Sequence, residues 1–317
     1  MDHVIPHVPV CQWVLSLPIP LRLLLAAQPQ LVTPVLQVVH RVLTRFLLDQ
    51  AGLKADEADS GAVTLIQRFD SAANLNIHLH CLVLDGVYKR TDAEPVFVEV
   101  PAPTDDALRA VLRKIITRMM KLLIRRGVLI EEPGATDMAD GDTDSDDART
   151  LRPLQAAACT YRIAFGPRAG QKVLTVQGAM PRDAGFEQAL CANIQGFSLH
   201  AAVRCGADDR QALEQLCRYI TRPALASERV QCNAAGQVVL KLKTPWRDGT
   251  THLVMTPLES MQGLAALVPR PRPRLHLIRF HGVLAPNAKL RAMVVPDPVE
   301  PAACEPNCTH GRPVRLN

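Results

Sequence analysis

Two histidines separated by one residue, His78-Leu79-His80, lie in the apolar run NIHLHCLVL at 76–84. That run reads as a β-strand, and on a strand residues i and i+2 project to the same face. The two imidazoles then stand side by side, with Ile77, Leu79 and Cys81 turned the other way into a core. Paired imidazoles at this spacing suit a divalent metal, although two His on a strand also occur by chance. A second group is Tyr219, one of only three tyrosines with Tyr88 and Tyr161, placed beside Arg218 and three residues before Arg222. A helical Tyr is ordinarily a packing residue. With basic neighbours it can also be a nucleophile toward a phosphate whose oxygens the Arg side chains hold.

The elements that must position these groups can be read from period and punctuation. Residues 10–17 predict a strand stopped by Pro18 and Pro20, and 19–50 predict two or three helical pieces broken at Pro29 and Pro34. Residues 61–69 and 76–84 predict an antiparallel hairpin, followed by short strands at 87–90 and 96–100. The clearest helix is 105–127, with Asp105 and Asp106 at its start and Arg125, Arg126 and Gly127 at its end. Lys114, Arg118, Lys121 and Arg125 form one basic stripe along it. Further on, 159–165 with 171–177 predict a hairpin, 197–204 a strand and 208–221 the helix that carries Tyr219. Strands at 236–243 and 250–256 and a helix at 257–267 follow. Hairpins without regular βαβ units predict the α+β class, an antiparallel sheet with helices packed on it. The divisions expected are a main domain over 1–256, a C-terminal helix and basic segment over 257–295, and a disordered, Pro-rich tail over 296–317.

The chain has 317 residues and a formal charge of +5, which by itself says little about a partner. The charge is uneven. Residues 131–148 hold eight acids and no base, so 36 bases face the remaining 23 acids, a net of +13 for the rest. This acidic stretch, taken to 150, predicts a disordered insertion. No secretory signal is visible, and the apolar stretch 23–40 is broken by Pro29, Pro34 and three Gln, so no membrane span is expected. Nine irregularly spaced Cys predict free thiols in the cytoplasm. Cys304, Cys308 and His310 make an incomplete zinc pattern. GPRAGQK at 166–172 lacks the spacing of a phosphate loop, so any duplex opening falls to a host helicase.

The run NLNIHLHCLVLDGVY (74–88) resembles the His-hydrophobe-His signature of HUH rolling-circle nucleases, and LCRYITRPALASERV (216–230) resembles the catalytic-tyrosine helix of the rolling-circle insertion-sequence transposases of the IS-ninety-one group. QWVLSLPIPLR (12–22), LKTPWRDGTTHLVMTPLE (242–259) and RLHLIRFHGVLAPNAKLR (274–291) resemble the same group in the same order. The resemblance implies an antiparallel palm with the His pair on a central strand. It implies a transposase that nicks and transfers single-stranded DNA at element ends, with Mg2+ or Mn2+ held by His78 and His80 and Tyr219 forming a 5′-phosphotyrosine. For a third ligand, Gln67 on the adjacent strand is the first choice and His200 the second. DNA contacts are expected from Arg218, Arg222, Lys114, Arg118, Lys121, Arg125, Arg270, Arg272, Arg274, Arg247 and Trp246, the last able to stack a base or to pack.

Members of the group carry two tyrosines four residues apart. Here those positions are Gln215 and Pro223, which marks a single-tyrosine variant. Members also carry a Cys-rich zinc module before the QWVL segment, whereas this chain begins almost at that segment. A truncated, catalytically weak DNA-binding remnant is therefore an alternative, and a metal-dependent hydrolase of small phosphoesters is a third.

Overall fold

The computed structural model describes residues 3–132, 135–138, 146–177, 189–246, 248–269 and 276–295. Strand β1 (Val10–Ser16) leads directly into α1 (Ile19–Ala27), since Pro18 and Pro20 end strand pairing and Pro20 stands in the first helical turn, where no N–H is needed. A 3-10 turn at Pro29–Leu31 precedes α2 (Val32–Ala51), which ends at Gly52 with φ 67°. The break expected at Pro34 does not occur, because Pro34 falls in the first turn of α2. As a result Pro29–Ala51 is, among the described residues, one helix long and apolar enough to cross a membrane, but 61% of its apolar window is buried inside this protein.

Strands β2 (Ala58–Asp59), β3 (Gly61–Phe69), β4 (Leu75–Leu84), β5 (Gly86–Lys89) and β6 (Val96–Glu99) follow. Helix α3 (Asp105–Arg125) is capped by Thr104, whose Oγ1 accepts from the Ala107 N–H at 3.2 Å. The expected disorder over 131–150 is corrected in part. β7 (Leu129–Glu132) and β8 (Ala135–Met138) pair as a hairpin, and α4 (Asp146–Cys159) opens inside the acidic stretch, while 139–145 lie outside the described residues. The hairpin expected from 159–165 and 171–177 is shorter than expected. Around 166–170 the chain doubles back, with the Ile163 N–H donating to the Gln171 carbonyl at 3.0 Å, the Val173 N–H to the Tyr161 carbonyl at 2.9 Å and an antiparallel bridge between Arg162 and Lys172, while β9 (Leu174–Gln177) pairs with the second sheet instead. The remaining elements are β10 (Cys191–Ile194), β11 (Phe197–Cys205), α5 (Arg210–Ile220), β12 (Val230–Cys232), β13 (Val238–Lys241), β14 (Thr250–Met255), α6 (Pro257–Leu267), β15 (Ile278–Gly282) and the short α7 (Arg291–Val294).

These elements build an α+β fold on a six-stranded antiparallel sheet of order β10-β11-β1-β4-β3-β15. Along β4, Ile77, Leu79, Cys81 and Val83 enter one core with Trp13 and Leu15 of β1, Ile66 of β3 and the apolar stripes of α1, α2 and α3. Burial of each large apolar side chain there contributes about 1.5–3 kcal/mol. On the opposite face Leu82 and Leu84 pack with Leu213, Leu216 and Ile220 of α5. A second sheet, β12-β13-β14-β9, carries its own cluster of Leu240, Leu242 and Leu253 against Ala72 of the β3–β4 turn. Helix α6 is tied to the main sheet by the buried Arg68, whose Nε donates to the Leu267 carbonyl at 2.9 Å.

Strand β15 comes from the stretch that the sequence sets apart as 257–295. It pairs with β3 from Ile278↔Leu65 to Gly282↔Gly61, so that stretch contributes an edge strand to the sheet. Gly282 has φ 59°, and a Cβ there would run into the Ser60 carbonyl. Among the described residues Cys11, Cys81, Cys159, Cys191, Cys205 and Cys232 are free thiols. Residues 270–275, the tail 296–317 with its Cys304, Cys308 and His310, and Arg247 lie outside the described residues.

The β15–α2 contact holds a buried pair of imidazoles. His40 and His281 stack with ring centroids 3.5 Å apart, and a His40 Nε2–Thr64 Oγ1 hydrogen bond of 2.7 Å ties the first to β3. Burial pushes His40 well below its ordinary value, and the facing His281 adds to this; burial and Arg279 push His281 down to about 4. Both rings are therefore neutral in the folded chain, while the unfolded chain binds their protons near pH 6.5. Stability from this pair is complete above pH 6.5 and is lost as pH falls toward about 4. Urea unfolding at pH 7 and pH 5 should show lower stability at pH 5. His281→Phe should make that slope shallower, and an unchanged slope would contradict the buried neutral pair.

Candidate functional site

Strand register decides which side chains share a face. His78 lies opposite Gln67 of β3 and Ser16 of β1, and His80 lies opposite Leu65 and Val14. Directly opposed residues point the same way, so Gln67, His78 and His80 occupy the face away from the α1–α3 core. The two imidazoles lie 4.8 Å apart between ring centroids. His78 Nδ1 donates to the Asn76 carbonyl at 2.9 Å, which fixes the proton on Nδ1 and leaves Nε2 as a bare acceptor. Burial lowers the pKa of His78 and pushes that of His80 down to about 3, with His78 adding to the shift at His80.

His80 is held from both sides. The Gln12 amide of β1 donates to its Nδ1 at 2.8 Å, and its Nε2 donates to Gln67 Oε1 at 2.8 Å. When the Gln12 amide is turned about, its Nε2 and Oε1 exchange places, Oε1 accepts a proton carried on His80 Nδ1, and His80 Nε2 is bared beside Gln67. Two neutral imidazoles with an amide oxygen alongside are a donor set that fits a divalent cation. Among the described residues no group of three His, Cys, Asp or Glu has metal-binding geometry, and the polar atom that stands beside the His pair is Gln67 Oε1, 2.8 Å from His80 Nε2.

Helix α5 brings the tyrosine. Its N-cap is Asp209, whose Oδ1 accepts from the Ala212 N–H at 3.0 Å. Leu213, Leu216 and Ile220 form the buried stripe, and Tyr219 stands about 100° round the helix from Ile220. It is consequently 48% exposed. Gln67, His78, His80, Tyr219 and Arg222 line one cleft of about 610 Å3, together with Asp70, Glu228, Arg229 and Lys243. Lys243 Nζ lies 3.9 Å from the centre of the Tyr219 ring. Arg229 braces a wall of the cleft, since it donates to the Lys241 carbonyl at 2.8 Å and to the Ser71 carbonyl. Asp70 accepts from the Tyr161 hydroxyl at 3.0 Å and from the Ala72 N–H at 2.7 Å.

Other residues expected at the site are elsewhere. Arg218 is turned to solvent and paired with Glu214 at 2.7 Å, and it does not line the cleft. Trp246 packs edge-on to Tyr161, with centroids 4.8 Å apart, inside the cluster of the second sheet. His200 lies opposite Val14, one strand further from His80 than Gln67 is. Lys114, Arg118, Lys121 and Arg125 are exposed on α3, whose buried side joins the core on the far face of the sheet, so they cannot line this cleft. Sequence reasoning missed Gln12, although it quoted the QWVL run, and also Lys243. Gln12 is only 5% exposed, and a buried Gln in an apolar strand was the available signal.

The sequence model of the family described as “Putative transposase” matches residues 61–291. This span runs from the first residue of β3 into α7 and includes Gln67, His78, His80 and Tyr219. The chain belongs to this transposase family. No curated protein and no solved structure matches it.

Replacing Gln12 by Leu strands a buried ring nitrogen of His80, which costs about 1–3 kcal/mol. Urea unfolding of Gln12→Leu should show a loss of that size. A change under about 0.5 kcal/mol, the ordinary scatter of surface substitutions, would contradict the His80–Gln12 bond.

Proposed function

We propose that the chain is an HUH-type transposase of the rolling-circle, single-tyrosine kind, related to the IS-ninety-one group, acting in the cytoplasm on single-stranded DNA at element ends. The observation that carries this is the cleft itself: a His pair from β4, Gln67 from β3 and the lone tyrosine of α5, distant in sequence, line one wall-to-wall space. Membership of a transposase family supports DNA as the substrate.

His78 and His80 through their Nε2 atoms, with Gln67 through Oε1, would hold Mg2+ or Mn2+. Such a cation polarises the scissile phosphate and stabilises the charge that builds on its oxygens. Arg222 and Lys243 supply positive charge beside Tyr219 for the remaining phosphate oxygens. The Tyr219 phenolic oxygen attacks phosphorus and releases its proton to solvent. The bond from phosphorus to the 3′ oxygen breaks, and that oxygen takes a proton from water. The product is a 5′-phosphotyrosine and a free 3′-hydroxyl, and the ester keeps the energy of the broken bond for rejoining. Opening of duplex DNA is assigned to a host helicase.

The purified chain, incubated with a single-stranded element end and Mg2+ or Mn2+, should yield a protein–DNA adduct that survives denaturing electrophoresis. Tyr219→Phe should abolish it, and His80→Ala should reduce it by about 100-fold or more, the scale for losing a metal-positioning group. An undiminished adduct in Tyr219→Phe would overturn the assignment. Metal-independent binding with no adduct in the wild type would favour the remnant reading.

A further inference from the structure

The far side of the sheet carries a basic groove that the cleft does not explain. Helices α2 and α3 pack together there, and two hollows of about 470 and 650 Å3 lie along them. The hollows share Arg41 and Arg118, so they are parts of one groove. Lys121 and Arg125 line the first hollow and Arg45 the second, and no carboxylate lines either.

The charges are not spent on one another's partners. Arg45 pairs with Asp49 at 2.9 Å, but Arg41, Arg118, Lys121 and Arg125 make no ion pair among the described residues. Arg41 Nε donates to the Gln37 carbonyl at 3.0 Å and Arg125 Nε to the Lys121 carbonyl at 3.2 Å, which steadies both guanidinium groups against their own helices. Lys121 stands three residues after Arg118 and four before Arg125, spacings at which like charges on a helix repel. A merely solvated helix face needs no contribution from a second helix. Here Arg41 of α2 faces the same hollow as the α3 cations, and among the described residues no carboxylate lines it.

We propose that this groove binds the phosphate backbone of single-stranded DNA as a second site, separate from the cleft. This rests on the reading of the chain as a DNA-handling transposase. Packed helix axes lie roughly 8–10 Å apart, so a groove between two helices is narrower than the ~12 Å major groove of a duplex alone, and a single strand is the form that enters it. The stripe from Arg118 to Arg125 runs about 10.5 Å along α3, room for successive phosphates of an extended strand. The six-stranded sheet stands between groove and cleft, so the strand held in the groove is not at the phosphate being cut. The groove restrains a non-reacting length of DNA by contacts that ignore base sequence.

Titration calorimetry on the full chain in the Tyr219→Phe background, so that only binding is read, tests this with a short oligo(dT) of roughly 4–16 nucleotides, the span of one single-strand site. The expected result is two oligonucleotides per chain for the parent and one for Arg118→Glu/Lys121→Glu/Arg125→Glu. The milder Lys121→Gln should lower the slope of log affinity against log salt by about 0.7, one phosphate contact. One oligonucleotide per chain in both proteins, or an unchanged slope in Lys121→Gln, would overturn the groove. One in the parent and none in the triple variant would leave the groove standing and sink the cleft as a DNA site.

Discussion

Strand β4 is hydrogen-bonded on both sides, to β1 and to β3, and every second residue along it enters the apolar core beneath α1, α2 and α3. This two-residue period orients the His pair. Ile77, Leu79 and Cys81 cannot leave the core without exposing a fully buried layer, so His78 and His80 are committed to the other face. A register slip of one residue would drive both imidazoles into that core, where neither would find a partner. The neutrality of the rings follows from the same placement, because burial opposes the charged form. Neutral rings with defined hydrogen-bond partners are what ligation requires, and Gln12 and Gln67 are brought to His80 by the neighbouring strands of the same ladder.

The second constraint is the amphipathic stripe of α5. Leu213, Leu216 and Ile220 seat the helix on Leu82 and Leu84, two and four residues along β4 from His80 on the same face. Tyr219 is thereby held near the His pair but off the buried stripe, exposed enough for a phosphate to reach it. The second sheet, braced by Arg229, adds Lys243 to the ring's face. The site is thus assembled where the main sheet, one helix and a smaller sheet meet, and no single element contains it.

Much of this was legible in the chain because it depends on local period. The i, i+2 pair at 78 and 80, the hairpin that sets Gln67 beside it, the Asp-capped helix of Tyr219 and the long basic α3 are all written in neighbouring residues. What escaped depends on partners far away in sequence. Strand β15 forms because β3, some two hundred residues earlier, leaves an edge open to it. Helix α4 is disguised by Pro153 and by the acidic run that precedes it. The bond between Gln12 and His80 joins residues 68 positions apart. The α3 stripe was readable as basic but not as facing away from the cleft, since only the packing of α2 and α3 beneath the sheet determines its side. Arg218 does not line the cleft for a similar reason: its neighbour in sequence is Tyr219, but its neighbour on the helix surface is Glu214.

The central claim is that one tyrosine on α5 and one His pair on β4 act on the same phosphate. Mass spectrometry of the peptide that carries the nucleotide, after reaction of the wild-type chain with single-stranded DNA and a divalent cation, tests it directly. The account predicts that the nucleotide mass resides on Tyr219. Its attachment at Tyr88, Tyr161 or a serine would contradict the account.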